Sequence, residues 1–348
     1  CCSFGSSGSP PMREPGFWDG SPSPLSWLLR PVAAIYGAVA ARRMARPGVP
    51  VGVPVICVGN YHLGGAGKTP VTLALAQMLG AMGERPMVVS RGYGGSLEGP
   101  AEVDARRHMA AEVGDEPLMM AERVPVIVAR DRAAGAMLAR EGGASVVLLD
   151  DGLQNSALVK DVTLAVVDGT RALGNGQVFP AGPLRAPLPP QLARTDVLIV
   201  IGAGRAADEL AQAAAIRGAL VLRAAFVADP QAVERLQGRR VLAFAGIGDP
   251  QRFFATLRAQ GIDVAETRAF ADHHAYAPYE VTDLRARGAA QNLTLVTTEK
   301  DMAGIASGPR LSRHRAEVVP LKVTLQFENE TALRTLLADR LAAAQHPR

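Results

Sequence analysis

His62-Leu63-Gly64-Gly65-Ala66-Gly67-Lys68-Thr69-Pro70 follows the apolar run Val53 to Val58 and precedes Val71, Leu75, Met78, Leu79 and Met82, which recur at helical spacing before Gly83. A buried strand, a glycine-rich turn and a helix opening on Lys-Thr come in the order by which proteins grip nucleotide phosphates. Glycines leave backbone N–H groups free to wrap a phosphate, Lys68 is expected to meet the β and γ oxygens, and the Thr69 hydroxyl to hold Mg²⁺. The stretch from His62 to Thr69 therefore predicts an ATP or GTP site. The strict pattern asks for glycine five residues before Gly67, where this chain has His62, so the first turn of the loop must be built differently. A glycine-rich turn with no ligand is the plain alternative.

Beyond the loop, short apolar runs alternate with longer helical patterns: Met87 to Val89, Val126 to Val128, Val146 to Leu149, Leu164 to Val167 and Val197 to Ile201. That alternation predicts an α/β fold with a P-loop NTPase-like parallel sheet flanked by helices. Such a sheet carries its ligands beyond the carboxyl ends of the strands, so the polar residues just after each run are the candidates. Val146 to Leu149 ends in Asp150-Asp151-Gly152, the way a carboxylate is delivered to Mg²⁺ opposite the loop, although an acidic pair can also simply cap a helix. Ser90-Arg91-Gly92-Tyr93, Gly114-Asp115-Glu116-Pro117 and Ala129-Arg130-Asp131-Arg132 each follow a strand or open a helix. Phosphoryl transfer needs positioned charge and a base for the attacking hydroxyl, which makes Asp115, Arg91 and Arg130 working candidates; a solvated surface charge is the alternative for each.

The 348 residues exceed what one core usually serves, so two domains are expected. A composition shift near Asp229 to Gly238 suggests the boundary, giving a nucleotide-binding domain over 47–228 and a smaller α/β unit over 238–348, with strands at Arg240 to Ala245 and Leu293 to Thr297 and a helix at Asp249 to Gln260. That unit carries Asp272-His273-His274, where a histidine beside an aspartate can relay a proton. Metal phosphoesterases also use Asp-His-His, but the further carboxylates they need are not evident, and plain turn histidines remain possible.

The net charge of +4 is too slight to argue for nucleic acid, and the basic residues are almost all arginine, with lysine only at 68, 160, 300 and 322. Cys57 stands alone inside an apolar strand and the other two cysteines lie at the extreme terminus, which points to a reducing compartment. Residues 1–11 lack a starting Met and are rich in Ser, Gly and Pro, and read as leader sequence ahead of Met12. From 12 to 46 an apolar helical face runs through Leu25, Leu28, Leu29, Val32, Ile35, Tyr36 and Val39 and ends in Arg42, Arg43 and Arg46. Arg30-Pro31 is expected to interrupt it and its apolar length falls short of about 20 residues, which argues against a spanning helix and leaves an interfacial helix or a core helix.

Taken in order, these motifs resemble the tetraacyldisaccharide 4'-kinase family. The likeness includes Phe17-Trp18, Leu28-Leu29, Val58-Gly59-Asn60, Gly64 to Pro70, Ser90-Arg91-Gly92-Tyr93, Gly114 to Pro117 and Asp150-Asp151-Gly152-Leu153-Gln154. It continues through Phe179-Pro180-Ala181-Gly182-Pro183-Leu184-Arg185, Gly246-Ile247-Gly248-Asp249, Asp272-His273 and Thr297-Thr298-Glu299-Lys300-Asp301. The chain departs from the family pattern at His62, where Ser or Thr is usual, at Asn155, where His is common, and at Ala186, where Glu usually follows the arginine.

The resemblance implies transfer of the ATP γ-phosphoryl to the 4'-hydroxyl of a tetraacylated glucosamine disaccharide 1-phosphate, in lipid A biosynthesis, at the cytoplasmic face of the inner membrane. It implies Asp115 as the base, His273 as its support from the second domain, Asp150 and Asp151 as Mg²⁺ carboxylates, and Arg185 as a contact for the anionic groups of the substrate. It also tips the N-terminal helix toward the membrane. The rival of another class is a membrane-cycling P-loop ATPase switch, which needs neither Asp115 nor His273 and usually carries a Lys where this chain has Leu63. A kinase for a soluble sugar would have no use for the apolar helix.

Overall fold

The computed structural model describes residues 15–271, 274–307 and 317–345. The expected leader 1–11 and the Asp272-His273 pair lie outside the described residues.

After a 3-10 turn at Gly16–Trp18, the chain forms α1 (Pro24–Met44), β1 (Val55–Gly59), α2 (Lys68–Ala81), β2 (Pro86–Ser90), β3 (Ala101–Glu102), α3 (Ala110–Val113), α4 (Asp115–Ala121) and β4 (Val126–Val128). Next come α5 (Arg132–Glu141), β5 (Val146–Asp150), β6 (Val162–Asp168), α6 (Leu188–Leu192), β7 (Val197–Ile201), α7 (Asp208–Ile216), β8 (Leu220–Ala228) and α8 (Pro230–Leu236). The chain then runs through β9 (Arg240–Ala245), α9 (Pro250–Ala259), β10 (Asp263–Ala269), α10 (Pro278–Gln291), β11 (Thr294–Thr298), α11 (Glu299–Ser307), β12 (Val318–Leu321), β13 (Val323–Phe327) and α12 (Glu330–Gln345).

These make the expected α/β architecture with two sheets. The larger has nine strands in the order β13-β8-β7-β6-β1-β5-β2-β4-β3, and the smaller has β10-β9-β11-β12. In the large sheet only the edge pairs β13–β8 and β3–β4 are antiparallel. The apolar runs read from sequence become strands buried along their whole length, β1, β5 and β7 among them, because helices cover both faces. β1 lies between β5 and β6, so the loop leaving its carboxyl end opens at the middle of the large sheet.

The return of β13 to the large sheet corrects a simple division at 229–238. β13 pairs with β8 from Val323↔Ala228 to Phe327↔Ala224, and α12 buries Leu333, Leu337 and Leu341 in the large sheet's core. The small sheet is thus an excursion between β8 and β13. Among the described residues, ion pairs join it to the large-sheet body: Arg252 of α9 meets Asp168 at the end of β6, and Arg123 after α4 meets Glu299 at the start of α11.

A second difference concerns α1. The helix runs unbroken for 21 residues with Pro31 inside it, opened by Ser23, whose hydroxyl accepts from the Ser26 N–H. Length and composition alone would let it cross a membrane. The face it packs on the protein is made of small residues, Ser26, Ala33 and Gly37, with Met44 at the end. Its large apolar residues point away: Leu28 is 75% exposed, Ile35 69% and Val32 55%, with Trp27, Tyr36 and Val39 beside them. A core helix would have the opposite arrangement.

Candidate active site

The carboxyl ends of β1, β5, β2 and β6 open into a cleft of ≈ 2670 Å³, lined by Gly64 to Thr69, Ser90, Arg91, Glu116, Arg132, Asp150, Asp151, Asp168 and Arg185, and on the far side by Ile247 to Phe253 of the small-sheet unit. That volume is several times what a small ligand needs, commonly about 300–1,000 Å³. The space is large enough for a nucleotide and a bulky acceptor together.

The phosphate loop forms as expected at its second half. Gly67 caps α2 in the left-handed region, φ 85°, and a side chain there would strike Ile201 Cδ1 at 2.7 Å. Only glycine fits. Gly64 also has positive φ, and the space beside Gly65 is open. Lys68 and Thr69 start a 14-residue helix, so its unpaired N–H groups and its dipole favour an anion at that end. The first half answers the question posed by His62. Instead of a glycine turn, residues 61–63 pair with 183–185: the Leu63 N–H donates to Pro183 O at 2.8 Å, and the Arg185 N–H to Tyr61 O at 2.9 Å. His62 is buried and bridged to Leu184, with Nδ1 2.8 Å from Leu63 O. Burial pulls its pKa down to about 4 against that hydrogen bond, with Arg171, Lys68 and Arg185 adding to the fall, so the ring is neutral.

The two aspartates at the end of β5 have opposite electrostatics. Asp150 is buried and accepts from Ser90 Oγ at 3.2 Å and Thr72 Oγ1 at 3.4 Å. Burial, then the charges of Glu116 and Asp151, push it up to about 7 against Lys68 and Arg132. Burial also works against Asp151, but there Lys68 and Arg185 prevail and hold the carboxyl below its usual range. Lys68 Nζ lies 3.6 Å from Asp151, and Arg185 Nη1 sits 3.1 and 3.0 Å from its two oxygens.

The predicted residues are not all brought together. The loop, Asp150, Asp151, Arg91 and Arg185 share the cleft; Arg91 is exposed on its wall. Arg130 is turned away into an exposed pair with Glu98 at 2.6 Å. Asp115 opens α4, and its Oδ1 lies 4.0 Å from where a side-chain carbon on Gly304 of α11 would stand, so it faces the small-sheet unit. His273 lies outside the described residues.

Three inward residues had not been singled out. Glu116 lines the cleft beside Asp150, Ser90 holds that carboxylate, and buried Arg132 donates from Nη2 to Asp150 O at 3.1 Å. Each belongs to a cluster marked by the carboxyl-end rule, but the rule selects the cluster and not the member that turns inward.

Among the described residues no set of three or more His, Cys, Asp or Glu forms a ready-made metal site. The Thr69 hydroxyl, the Asp150 and Asp151 carboxylates and nearby Glu116 nevertheless fit Mg²⁺. They are hard oxygen donors, Mg²⁺ commonly keeps waters and takes phosphate oxygens for the rest, and the raised Asp150 marks negative charge that a divalent ion would relieve.

The family model for tetraacyldisaccharide-1-P 4'-kinase (LpxK) matches residues 25–342. The tetraacyldisaccharide 4'-kinase of Rhodopseudomonas palustris BisB18 is 61% identical over 334 residues, 96% of this chain and 97% of that protein. The enzyme of Nitrobacter hamburgensis is 60% identical over 334 residues, 96% of this chain and all of its own. The crystal structure of LpxK from Aquifex aeolicus in complex with ATP superposes with a TM-score of 0.68 at 26% identity, covering 91% of this chain and 99% of that one. These likenesses favour the kinase over the membrane-cycling switch, and the chain belongs to the tetraacyldisaccharide-1-P 4'-kinase family.

Proposed function

We propose that this protein transfers the γ-phosphoryl of ATP to the 4'-hydroxyl of a tetraacylated glucosamine disaccharide 1-phosphate, on the cytoplasmic surface of the inner membrane. The observation that carries the reading is the meeting of Lys68, Asp151 and Asp150 at the mouth of the phosphate loop, in a cleft shared by both units. The loop N–H groups and the start of α2 hold the β- and γ-phosphates, and Lys68 moves from Asp151 onto their oxygens. Thr69, Asp150 and Asp151 would hold Mg²⁺, which would supply neutralisation of the phosphate charge. The sugar oxygen attacks γ-phosphorus, its proton passes to the Asp115 carboxylate, and the bond to the ADP oxygen breaks. His273 supports Asp115 from the small-sheet unit, and Arg91 on the cleft wall meets an anionic group of the acceptor. α1, with its large apolar residues outward and Arg42, Arg43 and Arg46 at its end, lies in the membrane surface and sets the cleft within reach of a lipid.

The test is phosphate transfer by the purified full chain in detergent, with labelled ATP, Mg²⁺ and tetraacyldisaccharide 1-phosphate. Transfer should require both Mg²⁺ and the lipid. Asp115→Ala should cost about 10²-fold or more in kcat with little change in the KM for ATP. Unchanged turnover in that variant would remove Asp115 from the base role.

A further inference from the structure

Two of the three side-chain nitrogens of Arg185 are spent inside the protein, on the phosphate loop and on the carboxylate beside it. Its Nε donates to the His62 carbonyl at 3.0 Å, and its Nη1 donates to both oxygens of Asp151. Its backbone is pinned as well, the N–H bonded to Tyr61 O at 2.9 Å while neighbouring Pro183 O accepts from Leu63. Asp151 adopts φ 51°, a left-handed conformation unusual for a residue with a side chain, so something must hold it there. Both Lys68 and Arg185 hold it.

We propose that Arg185 is a positioning residue for nucleotide binding: it ties Asp151 to the first turn of the phosphate loop, so that Lys68 can leave Asp151 for the phosphates without the carboxylate losing its place. It also does for this loop what the absent first glycine does elsewhere, fixing the backbone at His62. A planar guanidinium suits the task because it reaches a carbonyl and a carboxylate from one rigid fork, which a lysine cannot do. The inference rests on the nucleotide reading above.

The two are separable by measuring ADP binding in the presence of Mg²⁺ by calorimetry, on the full chain in detergent and with no lipid acceptor. Wild type should bind; if it does not, the nucleotide reading itself falls. Arg185→Ala should then bind about tenfold or more weakly, with Arg185→Lys between the two, and in turnover the KM for ATP should rise while the KM for the lipid stays unchanged. Nucleotide affinity equal to wild type in Arg185→Ala overturns the inference, and a raised lipid KM beside it would return Arg185 to substrate contact. Should Arg185→Ala fail to fold, Arg185→Lys carries the test, since wild-type ADP affinity in that variant would equally overturn the role of the fork.

Discussion

Lys68 and Asp151 face each other at 3.6 Å, the one opening the helix after the phosphate loop and the other following β5. Parallel pairing of β1 with β5, Val58 beside Asp150, brings the two ends together. A cation at a helix N-terminus stands against the dipole there, so the pair is one that an incoming anion can rearrange. Lys68→Met should therefore lower kcat/KM by about 10²-fold or more while leaving the thermal midpoint nearly unchanged, because Arg185 still pairs with Asp151 when the lysine is gone. Parallel turnover and melting measurements check both halves.

Asp150 gives the opposite balance. It is buried, its negative charge is opposed by Glu116 and Asp151, and the carboxyl titrates at about 7 rather than in the acid range. Asp150→Asn keeps the acceptor for Ser90 and removes the unfavourable charge, so stability at pH 8 should equal or exceed that of wild type while turnover falls by about 10²-fold. A destabilised but active variant would contradict both parts.

His62 makes the fold sensitive to acid. Free histidine titrates near 6.5 and the folded ring near 4, so between those values the unfolded chain binds the extra proton. The contribution is present in full above pH 6.5 and is lost as pH falls toward 4, with a ceiling of about 3 kcal/mol. Urea unfolding of wild type and His62→Ser at several pH values should show the difference between them shrinking across that window. A difference independent of pH would mean that the ring titrates normally.

Arg252 and Asp168 join the two sheets from opposite sides of the cleft. Asp168 is buried, and its other oxygen already accepts from the Thr170 N–H at 2.7 Å and hydroxyl at 2.6 Å. Removing the guanidinium leaves that carboxylate short of one partner, and Arg252→Ala should lose about 1–3 kcal/mol in urea. Small-sheet amides should also exchange faster than those of the large sheet, as read by hydrogen exchange.

The outward face of α1 should matter to membranes and not to folding. Leu28→Glu with Ile35→Glu changes two residues that are mostly exposed, so stability should move by less than about 0.5 kcal/mol each while cosedimentation with anionic vesicles drops about tenfold or more. Unaltered vesicle binding would place the membrane contact elsewhere.

Much of the fold was legible in the chain itself because its causes are local. The runs at Val126 to Val128 and Val197 to Ile201 became strands over the same residues, since a strand buried on both faces is apolar throughout. Gly67, Lys68 and Thr69 were readable for a similar reason: the conformation and chemistry of a phosphate loop are written within a few residues. β8 and β13 were not readable as strands of one sheet. Nearly 100 residues separate them, and β8 alternates buried and partly exposed positions, while β13 is an edge strand with a weak pattern. The continuity of α1 through Pro31 was equally hidden, because its packing against the loop at Val178 and Pro187 is set by the fold and not by helix propensity.

By itself, then, the sequence determined the α/β class, the phosphate loop and the family. Periodic burial and short motifs do not depend on distant parts of the chain. Only the tertiary structure decided which charges meet: Arg132 rather than Arg130 beside Asp150, Glu116 on the cleft wall with Asp115 facing α11, and Arg185 on Asp151. An ionic partner is chosen by strand order and register across the sheet, and a side chain's neighbours in sequence carry no record of it.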